Sequence, residues 1–258
     1  MKFIVNSIIN VMLRPVWWVG VIISYTAMMI GILSEGFIEN ANIIYLNIVC
    51  MDIGVFIPLA PLAAIIPVSG ILESSMKKSW KYENLIRTTR NRFIIKMAIG
   101  SALAGGAALA LGWILSLLTS MIIWRVPLMG HNMLGVENTE LGMLLYSQGT
   151  TILYLLFRLI QICAYGMFCV ICAVPVAILC LNSTWICLVP FTILRVVQFA
   201  MYNNMVEFLS PTRVLLGKDM GCSFPIWSFL LSLTGLLAWD TLLIILSICV
   251  FRARCRIE

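Results

Sequence analysis

The stretch MAIGSALAGGAALALGWILSLLTSMIIW, from Met97 to Trp124, contains no charged side chain. A helical residue advances about 1.5 Å, so about twenty apolar residues cross a bilayer core of about 30 Å. The chain as a whole is similarly apolar, since 62% of its 258 residues are hydrophobic and only 11% are charged. Soluble domains do not have this composition. The sequence therefore predicts an all-α, polytopic integral membrane protein.

Six apolar stretches of this kind are separated by polar breaks. The second contains Pro58, Pro61 and Pro67, which remove backbone hydrogen bonds and predict a kinked helix. The shortest break is Asn182-Ser183-Thr184, between the fourth stretch and the fifth. One transmembrane domain, residues 1–258, is predicted, with spans at about 16–33, 48–72, 97–124, 151–181, 185–206 and 226–251.

Residues 1–14 carry a polar side chain at every fourth position, with Lys2, Asn6, Asn10 and Arg14 between apolar residues. This periodicity predicts an amphipathic helix that lies in the membrane interface. Polar residues interrupt the first apolar run and no small-residue cleavage site follows, so we expect this segment to stay attached.

Small residues recur along one side of the third stretch. Ala104, Ala108 and Gly112 stand four residues apart, beside Ser101 and Gly105, and form a flat ridge that lets another helix approach closely. The pattern favours tight packing within the chain. A dedicated dimer interface is the alternative.

Several functional classes find no support in the residues. The chain contains no HExxH or GxSxG motif and no clustered cytoplasmic carboxylates, so no catalytic residue is predicted. Cys169 and Cys172 have CxxC spacing without a second pair or a histidine cluster, so no metal site is predicted. The net charge of +6 comes from basic residues between apolar stretches, which argues against a nucleic-acid partner.

Basic residues are distributed unequally between the two sides of the predicted membrane. With the N-terminus inside, twelve lysines and arginines fall on the cytoplasmic side and three fall outside. Cytoplasmic loops are enriched in such residues. We therefore expect a multi-pass protein of the cell membrane with both termini in the cytoplasm.

Seven of the basic residues lie in one loop, predicted at residues 73–96, between the second and third spans. Tyr82, Ile86, Thr89 and Phe93 follow helical spacing in this loop, and Trp80 and Leu85 flank them. Attraction to anionic lipid explains many basic residues beside spans. It does not explain the aromatic and aliphatic side chains among them, which favour a helix that docks on a partner protein.

The order of parts resembles the ABC-2 type permease family, the membrane subunits of ATP-driven exporters. In many such permeases the second span ends in an acidic or small polar residue, followed by a small residue, an aliphatic pair, an arginine, a Ser/Thr-Arg-basic cluster, an aromatic residue and a lysine. The matching residues here are Glu73, Ser79, Leu85 with Ile86, Arg87, Thr89-Arg90-Asn91-Arg92, Phe93 and Lys96. The family usually has glycine at the position of Ser79.

This resemblance implies that the loop is a coupling helix that docks on a separate ABC ATPase subunit. The implied docking residues are Trp80, Tyr82, Glu83, Leu85, Arg87, Arg90 and Arg92. The chain has no GxxxxGK[ST] phosphate loop, so ATP and magnesium belong to the partner, and no cofactor is expected on this chain. A second permease copy or a sister permease is also implied.

Four charged residues fall inside the predicted spans. Arg195 and Asp240 match in depth, as do Arg158 and Asp52, so a salt bridge is expected in each pair. Intramembrane charges are costly and mark functional or structural sites. The pairs are expected to hold the bundle together, and lining a translocation path is the alternative.

The sequence thus favours the permease subunit of an exporter that moves peptides, lantibiotics, drugs or lipids with ATP hydrolysed elsewhere. A self-contained secondary transporter or a non-transporting membrane scaffold remains the alternative, although no internal repeat of the kind common in secondary transporters is evident.

Overall fold

A computed structural model describes residues 11–34, 43, 46–47, 51, 55–77, 89–126, 151–203 and 225–257. Its regular elements in these ranges are six helices, each long and apolar enough to cross a membrane. This confirms the six-span helical prediction. The helices are α1 (Pro15–Ser34), α2 (Phe56–Met76), α3 (Arg90–Ile123), α4 (Thr151–Leu179), α5 (Ser183–Asn203) and α6 (Pro225–Ile257).

Helix α2 begins at Phe56, later than the predicted Ile48, because Val55 precedes it as a bend. Pro58 therefore stands in the first turn, where a backbone amide has no intrahelical partner to lose. Pro61 and Pro67 lie inside the helix, which continues through both. Helix α6 extends past the predicted end, through the basic tail to Ile257.

The predicted coupling loop, residues 73–96, is shorter in the structure. Its first residues, from Glu73, complete α2, and its last residues, from Arg90, form the first turns of α3. The predicted helix between them falls on residues 78–88, which lie outside the described residues, as does most of the predicted interfacial helix at residues 1–14.

Four helices form the centre of the bundle. Helices α1 to α4 pack against one another, and between 44% and 61% of the residues in the apolar stretch of each helix are buried. For α5 and α6 the buried shares are only 11% and 17%. Helix α5 packs on α2 and α4, whereas α6 packs on α4 and α3, so α4 is the neighbour that the two outer helices share.

The small-residue ridge of α3 lies inside the chain. Ala104 and Ala108 are fully buried, and the Ala104 carbonyl oxygen accepts a hydrogen bond from the Trp17 indole of α1 at 2.9 Å. A Cβ on Gly105 would lie 2.5 Å from the backbone oxygen of Ala64 in α2. The ridge therefore supports close intrachain packing, as the sequence favoured, and is not available as a dimer interface.

Candidate functional site

Two clusters attach the end of α2 and the beginning of α3 to the outer helices. The first, which we call the first anchor, consists of Glu73, Lys77 and Ser183. One Glu73 carboxylate oxygen, Oε1, is 3.1 Å from the Lys77 ammonium nitrogen, and the other, Oε2, accepts the Ser183 backbone N–H at 3.1 Å. A carboxylate at a helix N-terminus satisfies a free amide and complements the helix dipole. Glu73 thus connects the end of α2 to the beginning of α5.

The second anchor joins the beginning of α3 to the end of α6. The Asn91 side-chain oxygen accepts hydrogen bonds from Arg252 Nε at 3.2 Å and from Arg252 Nη2 at 3.0 Å. Beneath this polar contact the Phe93 and Phe251 rings are both buried, with their centroids 6.0 Å apart. Arg254 also donates a hydrogen bond to the Ile178 carbonyl oxygen, which links the end of α6 to the end of α4.

Both anchors lie at the end of the bundle where the segment 77–89 joins α2 to α3, which we call the loop end. The first anchor joins the end of α2 to the beginning of α5, and the second joins the beginning of α3 to the end of α6. The two helix ends that flank the segment are therefore each attached to an outer helix.

The first anchor can be tested by substituting Glu73. We expect Glu73→Ala to free the Ser183 amide and to loosen the first turn of α5 by less than about 1 kcal/mol. The helix keeps its own N-cap, because the Asn182 side-chain oxygen accepts the Thr184 N–H at 2.9 Å. Hydrogen exchange measured by mass spectrometry should show faster exchange in the peptide that begins at Ser183. The matched control is Lys77→Met, which removes the ion pair but leaves the carboxylate on the amide. Unchanged exchange in Glu73→Ala would contradict the anchor.

Arg158 is the most enclosed charged residue of the predicted set and is 3% exposed. Its Nε donates to the Tyr154 hydroxyl at 3.1 Å and its Nη1 donates to the Gln161 side-chain oxygen at 3.2 Å. The guanidinium carbon also lies 5.7 Å from the centroid of the Tyr154 ring. Three residues of α4 thus form a buried polar cluster. The predicted partner Asp52 lies outside the described residues, so that salt bridge stays a prediction.

The predicted salt bridge between Arg195 and Asp240 is wrong. Arg195 is half-buried on α5, where its Nη1 donates to Gln198 at 2.5 Å, and it lies within electrostatic range of Tyr165 on α4. Asp240, halfway along α6, is 7% exposed and lies within electrostatic range of Cys169 and Cys172. Helices α5 and α6 both pack on α4, and Arg195 and Asp240 form no ion pair with each other.

Most of the predicted docking residues cannot be placed. Trp80, Tyr82, Glu83, Leu85 and Arg87 lie outside the described residues. Arg90 and Arg92 belong to the first turn of α3, where the Arg92 side chain is exposed. No group of three or more His, Cys, Asp or Glu side chains in the described ranges could hold a metal ion.

Sequence reasoning missed the anchors. The spacing of Glu73 and Lys77 is a helical ion-pair signal that could have been found, since side chains four residues apart share a helix face. The partners Ser183 and Arg252 carry no such signal, because they lie far away in sequence and meet the loop end only through the tertiary fold.

Comparison of the chain with protein-family models, with curated proteins and with solved structures gives no match.

Proposed function

We propose that the chain is the transmembrane permease subunit of an ATP-binding cassette exporter whose ATPase is a separate chain. The observation that carries the proposal is the pair of anchors, which attach the two helix ends flanking one basic segment, the end of α2 and the beginning of α3, to the ends of α5 and α6. A docking partner that moves this segment has a direct mechanical connection to the outer helices.

Helices α5 and α6, to which the two anchors connect, are the helices that move most easily. Regions with few buried apolar contacts open at the lowest free energy, and α5 and α6 have the smallest buried shares in the bundle. Movement of the segment when the partner binds ATP would shift α5 and α6 against the central four helices. Such a shift is how the bundle would alternate between inward and outward exposure of its cargo.

Charge at the loop end supports a cytoplasmic location for this end. Seven lysines and arginines of the described residues stand at the end of α2, the beginning of α3 and the end of α6, namely Lys77, Arg90, Arg92, Lys96, Arg252, Arg254 and Arg256. Cytoplasmic ends of spans are enriched in these residues. The ATPase, its ATP and its magnesium ion are accordingly proposed on the cytoplasmic side, with a second permease copy or a sister permease beside this chain.

The proposal predicts that an ATPase copurifies with the tagged chain when it is extracted gently from its native host. Substituting Trp80, Leu85 and Arg87 together by alanine should remove the ATPase band, because these side chains form the proposed docking surface. The readout is nucleotide-dependent ATPase activity and mass spectrometry of the purified fraction.

The control for this experiment is Arg125→Ala, which removes a basic residue beyond the opposite end of α3 and should leave the ATPase bound. If no ATPase copurifies even after cross-linking, the exporter proposal fails. If the ATPase binds the triple variant as well as the original chain, the exporter proposal stands and the docking role of the three residues is rejected.

A self-contained secondary transporter is the second candidate, and one observation favours it. Asp240 is a buried carboxyl group within a span, and ionisable residues at such positions occur in ion pathways. Transport by the purified chain alone in liposomes, driven by an ion gradient and without ATP, would favour this candidate over the exporter.

A further inference from the structure

One carboxylate oxygen in the interior of the bundle has no hydrogen-bond partner. Asp240 Oδ1 is completely buried, and no group in the described part of the chain donates to it. Leaving a buried acceptor unsatisfied is costly, and leaving a buried carboxylate ionised without a partner costs far more. The chemistry of its surroundings therefore decides which form of the carboxyl group is stable.

The helices that pack on α6 offer no positive charge to this carboxyl group. From α4, the Cys169 and Cys172 thiols lie within electrostatic range of Asp240, and Tyr165 shares a hydrogen bond with Cys169. From α3, the part of the helix between Met97 and Ile123 contains no titratable or charged residue at all.

The two intramembrane arginines of the described chain are engaged elsewhere. Arg158 donates to Tyr154 and Gln161, and Arg195 donates to Gln198 on its own helix, with Tyr165 of α4 within its electrostatic range. Thiols are weak hydrogen-bond groups and cannot balance a full negative charge. Among the residues that the structure describes, an ionised Asp240 would therefore have no counter-ion.

We infer that Asp240 is a proton-binding site, which holds a proton while α6 packs on α4 and releases it when the two helices separate. Asp240 Oδ1 has no accessible surface, so no metal ion or water has room there, whereas a proton on the carboxyl group removes its charge without occupying volume. An aspartate exposed to water is ionised above about pH 4. Separation of α6 from α4 would therefore release the proton, and low pH would favour the closed arrangement. The inference stands on this packing and does not depend on the proposed function.

The first test uses a hydrophobic carbodiimide on the whole chain in lipid nanodiscs. The reagent takes up the proton and the carboxyl oxygen of a protonated acid and remains attached as a covalent adduct, so it reports the neutral form. We expect an adduct on the peptide that contains Asp240 at about pH 7, where an exposed aspartate is ionised. The adduct should be lost in Asp240→Asn and absent with a water-soluble carbodiimide. No adduct at Asp240, or equal labelling by both reagents, would overturn the inference.

The second test does not depend on reagent access. Asparagine has the shape of the neutral acid, so Asp240→Asn should fold. Its melting temperature should exceed that of the original chain by an amount that grows as the pH rises above about 4, where an unfolded aspartate ionises, and that levels off once the folded chain also loses the proton. The sign follows from proton linkage, because the original chain must keep a proton in its folded state that the unfolded state releases. A pH-independent difference, or a lower melting temperature of Asp240→Asn at high pH, would show an ionised, partnered Asp240 and would overturn the inference.

Discussion

Gly105→Ala is expected to destabilise the folded bundle strongly, although it adds only one methyl group. The new Cβ would lie 2.5 Å from the Ala64 backbone oxygen of α2 and would collide with the Val170 side chain of α4. A side chain can rotate away, but a helix backbone can move only if α2 and α3 separate. Overpacking of this kind costs about 1–3 kcal/mol. Thermal melting of the purified chain in detergent, followed by the fraction that stays monodisperse, measures the loss.

The matched control for this substitution is Gly100→Ala on the same helix. No atom lies within 4 Å of the position of its added Cβ. Alanine is a better helix former than glycine by about 1 kcal/mol, so Gly100→Ala should leave the melting temperature unchanged or raise it. Equal losses for the two variants would contradict the packing of α3 between α2 and α4.

Arg158→Leu is expected to have the second large effect. Leucine removes the donors that satisfy the Tyr154 hydroxyl and the Gln161 side-chain oxygen, and both of these residues are almost completely buried. Each buried polar group left without a partner costs about 1–3 kcal/mol. The melting temperature should therefore fall steeply, and Arg158→Lys should restore it only in part, because a lysine cannot reach two partners in a fixed fork.

Arg195→Leu is the matched control, since it removes the other intramembrane arginine of the described residues. Arg195 is only half-buried, and its one described hydrogen bond is to Gln198 on the same helix. The loss of stability should be clearly smaller than for Arg158→Leu. A larger loss for Arg195→Leu would mean that α5 is held to the bundle by this arginine and would contradict the described arrangement.

The pairing of the charged residues inside the spans could not be predicted from the sequence alone. Depth can be estimated along each span, because a helix advances by a fixed rise per residue, and this estimate places Arg195 and Asp240 at similar levels. Pairing also needs the two helices to be neighbours with facing sides. Helices α5 and α6 both pack on α4 instead, so the arginine bonds to Gln198 on its own helix and the aspartate is left without an ion pair among the described residues.

At the loop end, local patterns were also predictable from the sequence, whereas contacts between distant residues were not. Its basic residues and the helical spacing of Glu73 and Lys77 are visible in the sequence, since both are local patterns. The attachment of Glu73 to Ser183, and of Asn91 to Arg252, joins residues that no local pattern relates. The proposed connection between the docking segment and the outer helices could therefore come only from the structure.

The amino-acid sequence alone predicted six helices long and apolar enough to cross a membrane, and it favoured close packing of the ridge of α3. A bilayer core has one thickness and satisfies no backbone hydrogen bonds, so apolar length is sufficient to predict a span. Only the tertiary structure decided which helices are neighbours, which charge is left alone and which segment is anchored to α5 and α6. Lipid and protein interiors are equally apolar, so hydrophobicity does not show which face of a span packs on a neighbouring helix. The fit of side chains between helices determines that face.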